Sequence, residues 1–257
     1  MIIKRDVLFT PAGSTRRLHI YLPDSYQAGN ESYPVMYFFD GHNLFDNADA
    51  TFGKSWGLKE FLESWGKEII IVGLECSHEG NQRLQEYCPY TFRGKFWGGI
   101  LKGTGKDTMQ WIVSELKPLI DREYRTWPHR EATGIGGSSM GGLMSLYAAV
   151  CYNEWFSKAA CVSSSISPCM APLRRDIKKS SLSPDTRVYL SWGTEEAFRR
   201  DPHDPMKSLT AQHNLTIQAD LQEQHGIMTD LCCQIGGGHN EASWEKQIPR
   251  FMNFLWC

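Results

Sequence analysis

The chain has 257 residues, of which 41% are hydrophobic and 22% charged, and its net charge is −2. This composition is typical of a globular protein that is large enough to bury a sizeable core. The nearly balanced charge argues against a general electrostatic attraction to nucleic acid or to an anionic membrane, so neither is expected as a partner.

The N-terminal segment and the cysteines bear on where the protein acts. Residues 1–13 lack the apolar run of a signal peptide, and no segment is long and apolar enough to cross a bilayer, so we expect a cytoplasmic protein. None of the eight cysteines forms a C-x-x-C pair, and we expect free thiols in a reducing compartment. Cys76 and His78 are the one Cys/His pair close in sequence, so no metal site is expected.

Short apolar runs alternate with helical patterns along the chain. The runs predict strands at residues 3–9, 17–22, 35–39, 69–74, 133–135, 159–162, 188–192 and 231–235. Helices are predicted at residues 57–65, 109–120 and 144–151, and near residues 205–225 and 241–255. This alternation predicts an α/β fold with a mostly parallel sheet and helices on both faces. We expect one domain over residues 1–257, with an irregular insertion at about 75–105 on the substrate side.

The segment GIGGSSMGGL, residues 134–143, follows a predicted strand and leads into a helix. It contains G-x-S-x-G, the pattern of a nucleophile elbow, and the frame selects Ser139 rather than Ser138. Such a tight strand-to-helix turn leaves no room for side chains two residues before and after the serine. The turn lifts the hydroxyl out of the sheet at a helix N-terminus that favours negative charge. The alternative is a glycine-rich turn without a catalytic role.

A serine nucleophile needs a base, and the base needs an acid to orient it. Of the four histidines after Ser139, His239 follows a predicted strand and a run of three glycines, so it is the preferred base. The acid is expected after the strand at 188–192, where Glu195 and Glu196 both fit and Asp201 and Asp204 lie farther along.

An acyl-transfer site also needs two N–H groups that bind the oxyanion of the tetrahedral intermediate. One is expected from the residue after the nucleophile, Met140. The other is expected from the loop after the strand at 35–39, where Gly41 allows a sharp turn and the backbone N–H of His42 would point to the same place.

Five segments together resemble the esterase family of the α/β-hydrolases that includes esterase D-like enzymes, feruloyl esterases, enterochelin esterases and mycolyl-transferring antigen 85 proteins. The segments are PVMYFFDGHNLFD, IIIVGLE with RLQEYCPY, GIGGSSMGGLMSLYAA, SWGTEE and GGGHNEASWEKQIPRFMNFLW. The resemblance implies an α/β-hydrolase fold from about residue 17 onward, and an acyl-enzyme on Ser139 with no metal or cofactor. It implies Glu196 as the acid, where similar feruloyl esterases have Asp, and His42 as an oxyanion donor.

The substrate is predicted only by class. Aromatic and charged side chains near the expected cleft favour a small aromatic acyl ester or an ester on a short saccharide. The candidate substrate-binding residues are Trp56, Arg83, Glu86, Tyr90, Phe92 and Trp97. The alternatives are a siderophore-ester hydrolase, an acyltransferase with the same triad and, from another class, a binding module without catalysis. Whether the chain forms a homo-oligomer is left open.

Overall fold

Ten strands belong to the part of the chain that the computed structural model describes, residues 1–94, 99–198 and 203–257. They are β1 (Ile2–Phe9), β2 (Ser14–Tyr21), β3 (Val35–Phe39), β4 (Ile70–Leu74), β5 (Phe92–Gly94), β6 (Gly99–Leu101), β7 (Thr133–Ser138), β8 (Lys158–Val162), β9 (Arg187–Gly193) and β10 (Met228–Gln234). Eight of them form one sheet in the order β1-β2-β4-β3-β7-β8-β9-β10, and β5 and β6 form a separate hairpin. β2 is antiparallel to both neighbours, and the other strand pairs of the large sheet are parallel.

Helices connect the parallel strands. They are α1 (Leu58–Ser64), α2 (Gln82–Glu86), α3 (Gly105–Trp111), α4 (Lys117–Glu123), α5 (Met140–Cys151), α6 (Met170–Lys179), α7 (Leu209–His225), α8 (Glu241–Glu245) and α9 (Ile248–Trp256). A π-helical turn at Ile112–Leu116 joins α3 to α4, so the amphipathic segment predicted at 109–120 is one part of a longer helical stretch. No helix in the described ranges combines the length and apolar character needed to cross a membrane.

The sheet separates two hydrophobic cores, and the central strand β3 shows how. Val35, Tyr37 and Phe39 pack into the core beneath α3, α5, α6 and α7, whereas Met36 and Phe38 pack into the core beneath α1 and α9. Alternate residues of a strand point to opposite faces, so an uninterrupted apolar run is what a strand covered on both sides requires. The prediction of a mostly parallel sheet with helices on both faces is confirmed. The prediction of a single domain stays a prediction.

The structure differs from the expected elements where local patterns are weak. α5 begins at Met140, directly after Ser139, four residues earlier than the predicted helix, because the glycines of this segment are already helical. The segment predicted to be irregular, 75–105, contains the short helix α2 and the hairpin of β5 and β6. α6 was not predicted. It buries only Leu173 and Ile177 fully, and the rest of the helix is largely polar.

Candidate active site

Ser139 lies in the sharp turn between β7 and α5. Its backbone has φ 58° and ψ −118°, a region that residues other than glycine rarely adopt. The N–H of Ser139 donates to the carbonyl of Val162 at 3.0 Å, which fixes the turn to the end of β8. The strained turn is therefore held by the neighbouring strand and places the serine at the carboxyl edge of the sheet.

Packing leaves little room for a side chain at Gly137, the first of the two glycines that flank Ser139 in the motif. A Cβ atom on Gly137 would lie 2.9–3.0 Å from three backbone atoms of Gly141. Backbone cannot move aside as the end of a flexible side chain can, so a larger residue at position 137 would force the turn to shift. The spacing of the G-x-S-x-G motif thus reflects contact between the start and the end of one tight turn.

The hydroxyl of Ser139 lies beside a second serine. Its Oγ is 3.2 Å from Oγ of Ser165, and the N–H of Ser165 donates to the carbonyl of Ser139 at 2.9 Å. Ser139 also lines a cavity of about 290 Å³. The ring of His239 lines the same cavity, although no direct hydrogen bond joins these two side chains. The structure thus brings the predicted nucleophile and base to one cavity.

Glu196 holds the other side of the His239 ring. One carboxylate oxygen contacts Nδ1 of His239, and the second accepts hydrogen bonds from Ser163 Oγ and from the N–H of Gly193, both at 2.5 Å. The Glu196 side chain is 7% exposed and that of His239 is 43% exposed. Because a carboxylate only accepts hydrogen bonds, this contact favours the tautomer with the proton on Nδ1 and leaves Nε2 available.

Trp244 contacts both His239 and Ser163 and so supports the contact between Glu196 and His239. Its indole N–H donates to Ser163 Oγ at 3.0 Å, and its ring packs edge-on against His239 with 5.2 Å between ring centres. Glu195 is exposed, and its backbone N–H donates to the carbonyl of Gly237 at 2.9 Å. Position in the sequence alone leaves Glu195 and Glu196 open, and the resemblance implies Glu196; the structure brings Glu196 to the histidine.

The loop after β10 meets the turn after β9 through a close backbone contact. A Cβ atom on Gly193 would lie 2.1 Å from the carbonyl oxygen of Gly237, so this approach requires glycine. The N–H of Gly236 donates to Thr194 Oγ1 at 2.9 Å, and the N–H of Thr194 donates to the carbonyl of Gln234 at 3.0 Å. These bonds bring residues 196 and 239 together although 42 residues lie between them in the chain.

The two predicted oxyanion donors lie at the starts of helical turns. Asp40 has a left-handed backbone, φ 59°, and begins the turn that contains His42, while Met140 is the first residue of α5. Within the described residues, no group accepts a hydrogen bond from the backbone N–H of His42 or of Met140. N–H groups at the start of a helix lack acceptors within that helix and are suited to bind an anion.

The side chain of His42 is separate from these amides. Nε2 lies 2.9 Å from Thr51 Oγ1, and Nδ1 is buried without a hydrogen-bond partner in the described part of the chain. Burial lowers the pKa of His42, and the Asp40 carboxylate only partly opposes this, so the ring is neutral near pH 7. This agrees with an interpretation in which the backbone of His42, rather than its imidazole, is the functional group.

Arg83 lines the cavity and forms a two-bond ion pair with Asp40, with N···O distances of 2.7 and 2.6 Å. Burial opposes ionisation of Asp40, but the Arg83 guanidinium outweighs it and lowers the pKa of the carboxyl. The pair is therefore ionised on both sides and adds no net charge to the cavity. Of the five candidate substrate-binding residues that fall within the described ranges, Arg83 is the one that lines this cavity.

Four of the other candidates lie elsewhere, which corrects the sequence interpretation. Trp56 is 2% exposed and packs in the core against Phe38 and Trp244. The hydroxyl of Tyr90 donates to Asp176 at 2.8 Å, and Phe92, in β5, packs against the core that contains α3 and α5.

Glu86 pairs with Arg16 and lines a different cavity of about 410 Å³. The sequence predicts these four residues as substrate-binding from the chemistry of their side chains, whereas the direction in which each side chain points depends on the path of the chain. Trp97 lies outside the described residues, as does Asp201.

A larger cavity of about 580 Å³ adjoins the site. Its apolar wall consists of Pro168, Trp192, Phe198 and Leu209. Glu196 and His239 also line it, so His239 lies between this cavity and the smaller, more polar one that contains Ser139.

Sequence reasoning missed Ser163, Ser165, Trp244 and Glu241. The run of three serines directly after β8 was the available signal, because side chains at the carboxyl ends of parallel strands gather at one edge. In the described ranges, no group of three or more His, Cys, Asp or Glu side chains could hold a metal ion.

The model of the family described as Putative esterase matches residues 11–255 of the chain. The chain belongs to this family. It is an esterase, a hydrolase with the α/β-hydrolase fold. Over 250 residues it is 28% identical to Uncharacterized protein YbbA of Bacillus subtilis, covering 94% of this chain and 92% of YbbA.

Solved structures show the same architecture. An IroE-like serine hydrolase from Shewanella oneidensis has a TM-score of 0.75 at 20% identity, covering 99% of this esterase and 79% of that chain. The enterobactin esterase FES from Shigella flexneri, in the presence of enterobactin, has a TM-score of 0.73 at 19% identity. The alignment covers 100% of this esterase and 59% of FES, so the chain spans somewhat more than half of that enzyme. At these identities the similarity establishes the fold.

Proposed function

We propose that this esterase hydrolyses a small carboxylic ester through an acyl-enzyme on Ser139, with His239 as general base and Glu196 as the acid that orients it. The observation that carries the proposal is the contact of Glu196 with Nδ1 of His239, on a histidine that shares a cavity with Ser139. That contact leaves Nε2 as the nitrogen able to accept a proton.

In the first step, Ser139 Oγ turns from Ser165 towards His239 and attacks the ester carbonyl. The Oγ–C bond forms while the hydroxyl proton passes to Nε2 of His239, and the carbonyl oxygen becomes an oxyanion. The N–H groups of His42 and Met140 bind this oxyanion, and each such donor is worth about 3–4 kcal/mol in other enzymes. Glu196 stabilises the imidazolium that results.

The tetrahedral intermediate then collapses. The bond from carbon to the leaving oxygen breaks, and the imidazolium of His239 returns its proton to that oxygen, which releases the alcohol. Water attacks the acyl-enzyme by the same route, with His239 again accepting and returning the proton. The products are a carboxylic acid and regenerated Ser139.

The two adjoining cavities support a substrate with groups on both sides of the ester. The larger one has an apolar wall that includes Trp192 and Phe198, which suits an aromatic or alkyl group, and the smaller one is more polar. An aromatic or saccharide ester of modest size is therefore the substrate class that we propose.

A panel of acetyl, butyryl, feruloyl and catecholate esters tests the function on wild type and Ser139→Ala. We expect Ser139→Ala to fold normally and to lose turnover on every ester, because the nucleophile is removed. Turnover that survives in this variant contradicts the proposal. Preference for catecholate lactones points to siderophore esters, and product partitioning towards an added alcohol points to acyl transfer.

A further inference from the structure

Glu241 is a buried carboxyl in the wall of the cavity that contains Ser139. It is 4% exposed and is the first residue of α8, two residues after His239. Within the described residues, no ion pair or hydrogen bond joins its carboxylate to another residue, and its own backbone N–H is its one hydrogen-bond donor. Buried carboxyl groups are normally paired, so an unpaired one in a cavity wall needs a reason.

The charges around Glu241 make its position distinctive. Asp40 and Arg83 line the same cavity but neutralise each other in their ion pair. Burial raises the pKa of Glu241 and the nearby Asp40 carboxylate raises it further, while its own backbone N–H, His239 and Arg83 offset this in part. The cavity therefore contains one carboxyl group whose ionised form lacks a protein counterion.

We propose that Glu241 binds a hydrogen-bond donor of the substrate, an ammonium or hydroxyl group, next to the scissile ester. A donor in the cavity would supply the partner that the protein does not. The inference rests on the proposed function, because it places this group beside the ester that Ser139 attacks. Glu241 would then be a specificity-determining residue. An ester without such a donor would bind through the rest of the site, without a contact to Glu241.

Methyl esters of alanine, lactate and isobutyrate test this directly. They share one acyl skeleton and carry an ammonium, a hydroxyl or a methyl group at the same carbon. Glycol monoacetate and propyl acetate make the corresponding comparison on the alcohol side. The ratio of kcat/KM in wild type to that in Glu241→Gln is measured for each ester, which cancels differences in intrinsic reactivity.

We expect Glu241→Gln to lower kcat/KM by roughly tenfold for a donor-bearing ester, because the amide oxygen still accepts a hydrogen bond but no longer carries the charge that strengthens it. The matched ester without a donor should lose distinctly less. Loss with the alaninate alone identifies an ammonium, and loss with lactate or glycol monoacetate identifies a hydroxyl. The same ratio for all five esters overturns the inference and leaves a structural role for Glu241.

Glu245→Gln is the matched control, since Glu245 lies on the same helix but is 41% exposed and pairs with Lys54. It should leave all five ratios at one. Glu241→Asp keeps the charge but draws it back by one methylene, and it replaces Glu241→Gln if that variant folds poorly.

Labelling of Ser139 by a neutral organophosphonate separates the two proposals. Failure to label wild type contradicts the serine mechanism, whereas normal labelling with equal ratios contradicts only the role of Glu241.

Discussion

Two glutamates of this esterase each form an ion pair with a basic side chain, but the two basic side chains differ in whether they can exchange a proton. Glu196, in the turn after β9, holds His239, and Glu86, at the end of α2, holds Arg16. Both carboxylates are largely buried, with 7% and 10% of their side chains exposed. Burial of an acid beside a base therefore does not by itself identify a catalytic pair.

The difference lies in the bases. His239 is 43% exposed, keeps one ring nitrogen available and lines the cavity of Ser139. Arg16 is enclosed, with further hydrogen bonds to Ser14 Oγ at 2.9 Å and to the carbonyl of Thr15 at 2.8 Å. A guanidinium does not give up its proton in proteins, so the Arg16 pair can only hold the segment 75–105 against β2. The comparison predicts opposite effects when each acid is changed.

The largest effect is expected at the first pair. Glu196→Gln should lower kcat on the order of 10³–10⁴-fold, because loss of the orienting acid leaves the histidine in the wrong tautomer. The fold should persist, since Ser163 and Gly193 can still donate to the amide oxygen. Steady-state kinetics with an aryl ester check this.

Glu195→Gln is the matched control for that variant. Its side chain is the exposed neighbour, and we expect wild-type kcat. Equal losses in both variants would remove the distinction between the two glutamates.

At the second pair the expected effect is on stability. Glu86→Gln should reduce the free energy of unfolding by about 3–5 kcal/mol, because it leaves Arg16 buried without its counterion. Below the unfolding temperature kcat/KM should stay at the wild-type value. Urea denaturation together with kinetics at low temperature provides both measurements. A large loss of kcat in a fully folded variant would show that this pair also serves the active site.

A smaller effect is expected where backbone contact positions the first pair. Gly193→Ala would push a methyl group against the carbonyl of Gly237 and separate the turn that bears Glu196 from the loop that bears His239. We expect a loss of about 1–3 kcal/mol in the free energy of unfolding, as for other overpacked sites, with a fall in kcat.

The control for this substitution is Gly29→Ala, where the added Cβ meets only the end of the Glu31 side chain. In urea denaturation, the free energy of unfolding of Gly29→Ala should lie within about 0.5 kcal/mol of the wild-type value. If Gly193→Ala behaves in the same way, the close contact between the two loops is not needed to position the pair.

By itself, the sequence determined the parts of the molecule that local physics governs. Continuous apolar runs such as residues 35–39 predicted a doubly covered sheet, and the spacing of Gly137, Ser139 and Gly141 predicted one strained turn, because both depend on neighbours along the chain. The order of the segments also placed His239 and a glutamate after β9 at the same sheet edge.

Only the tertiary structure decided which side chains meet. It brought Glu196, the acid that the family resemblance implies, into contact with His239, turned Trp56 and Glu86 away from the cavity, and placed Glu241 in its wall. The reason is that these contacts join residues far apart in sequence through loops whose path depends on single packing contacts, such as that between Gly193 and Gly237. No periodicity in a single sequence records the direction in which such a loop turns.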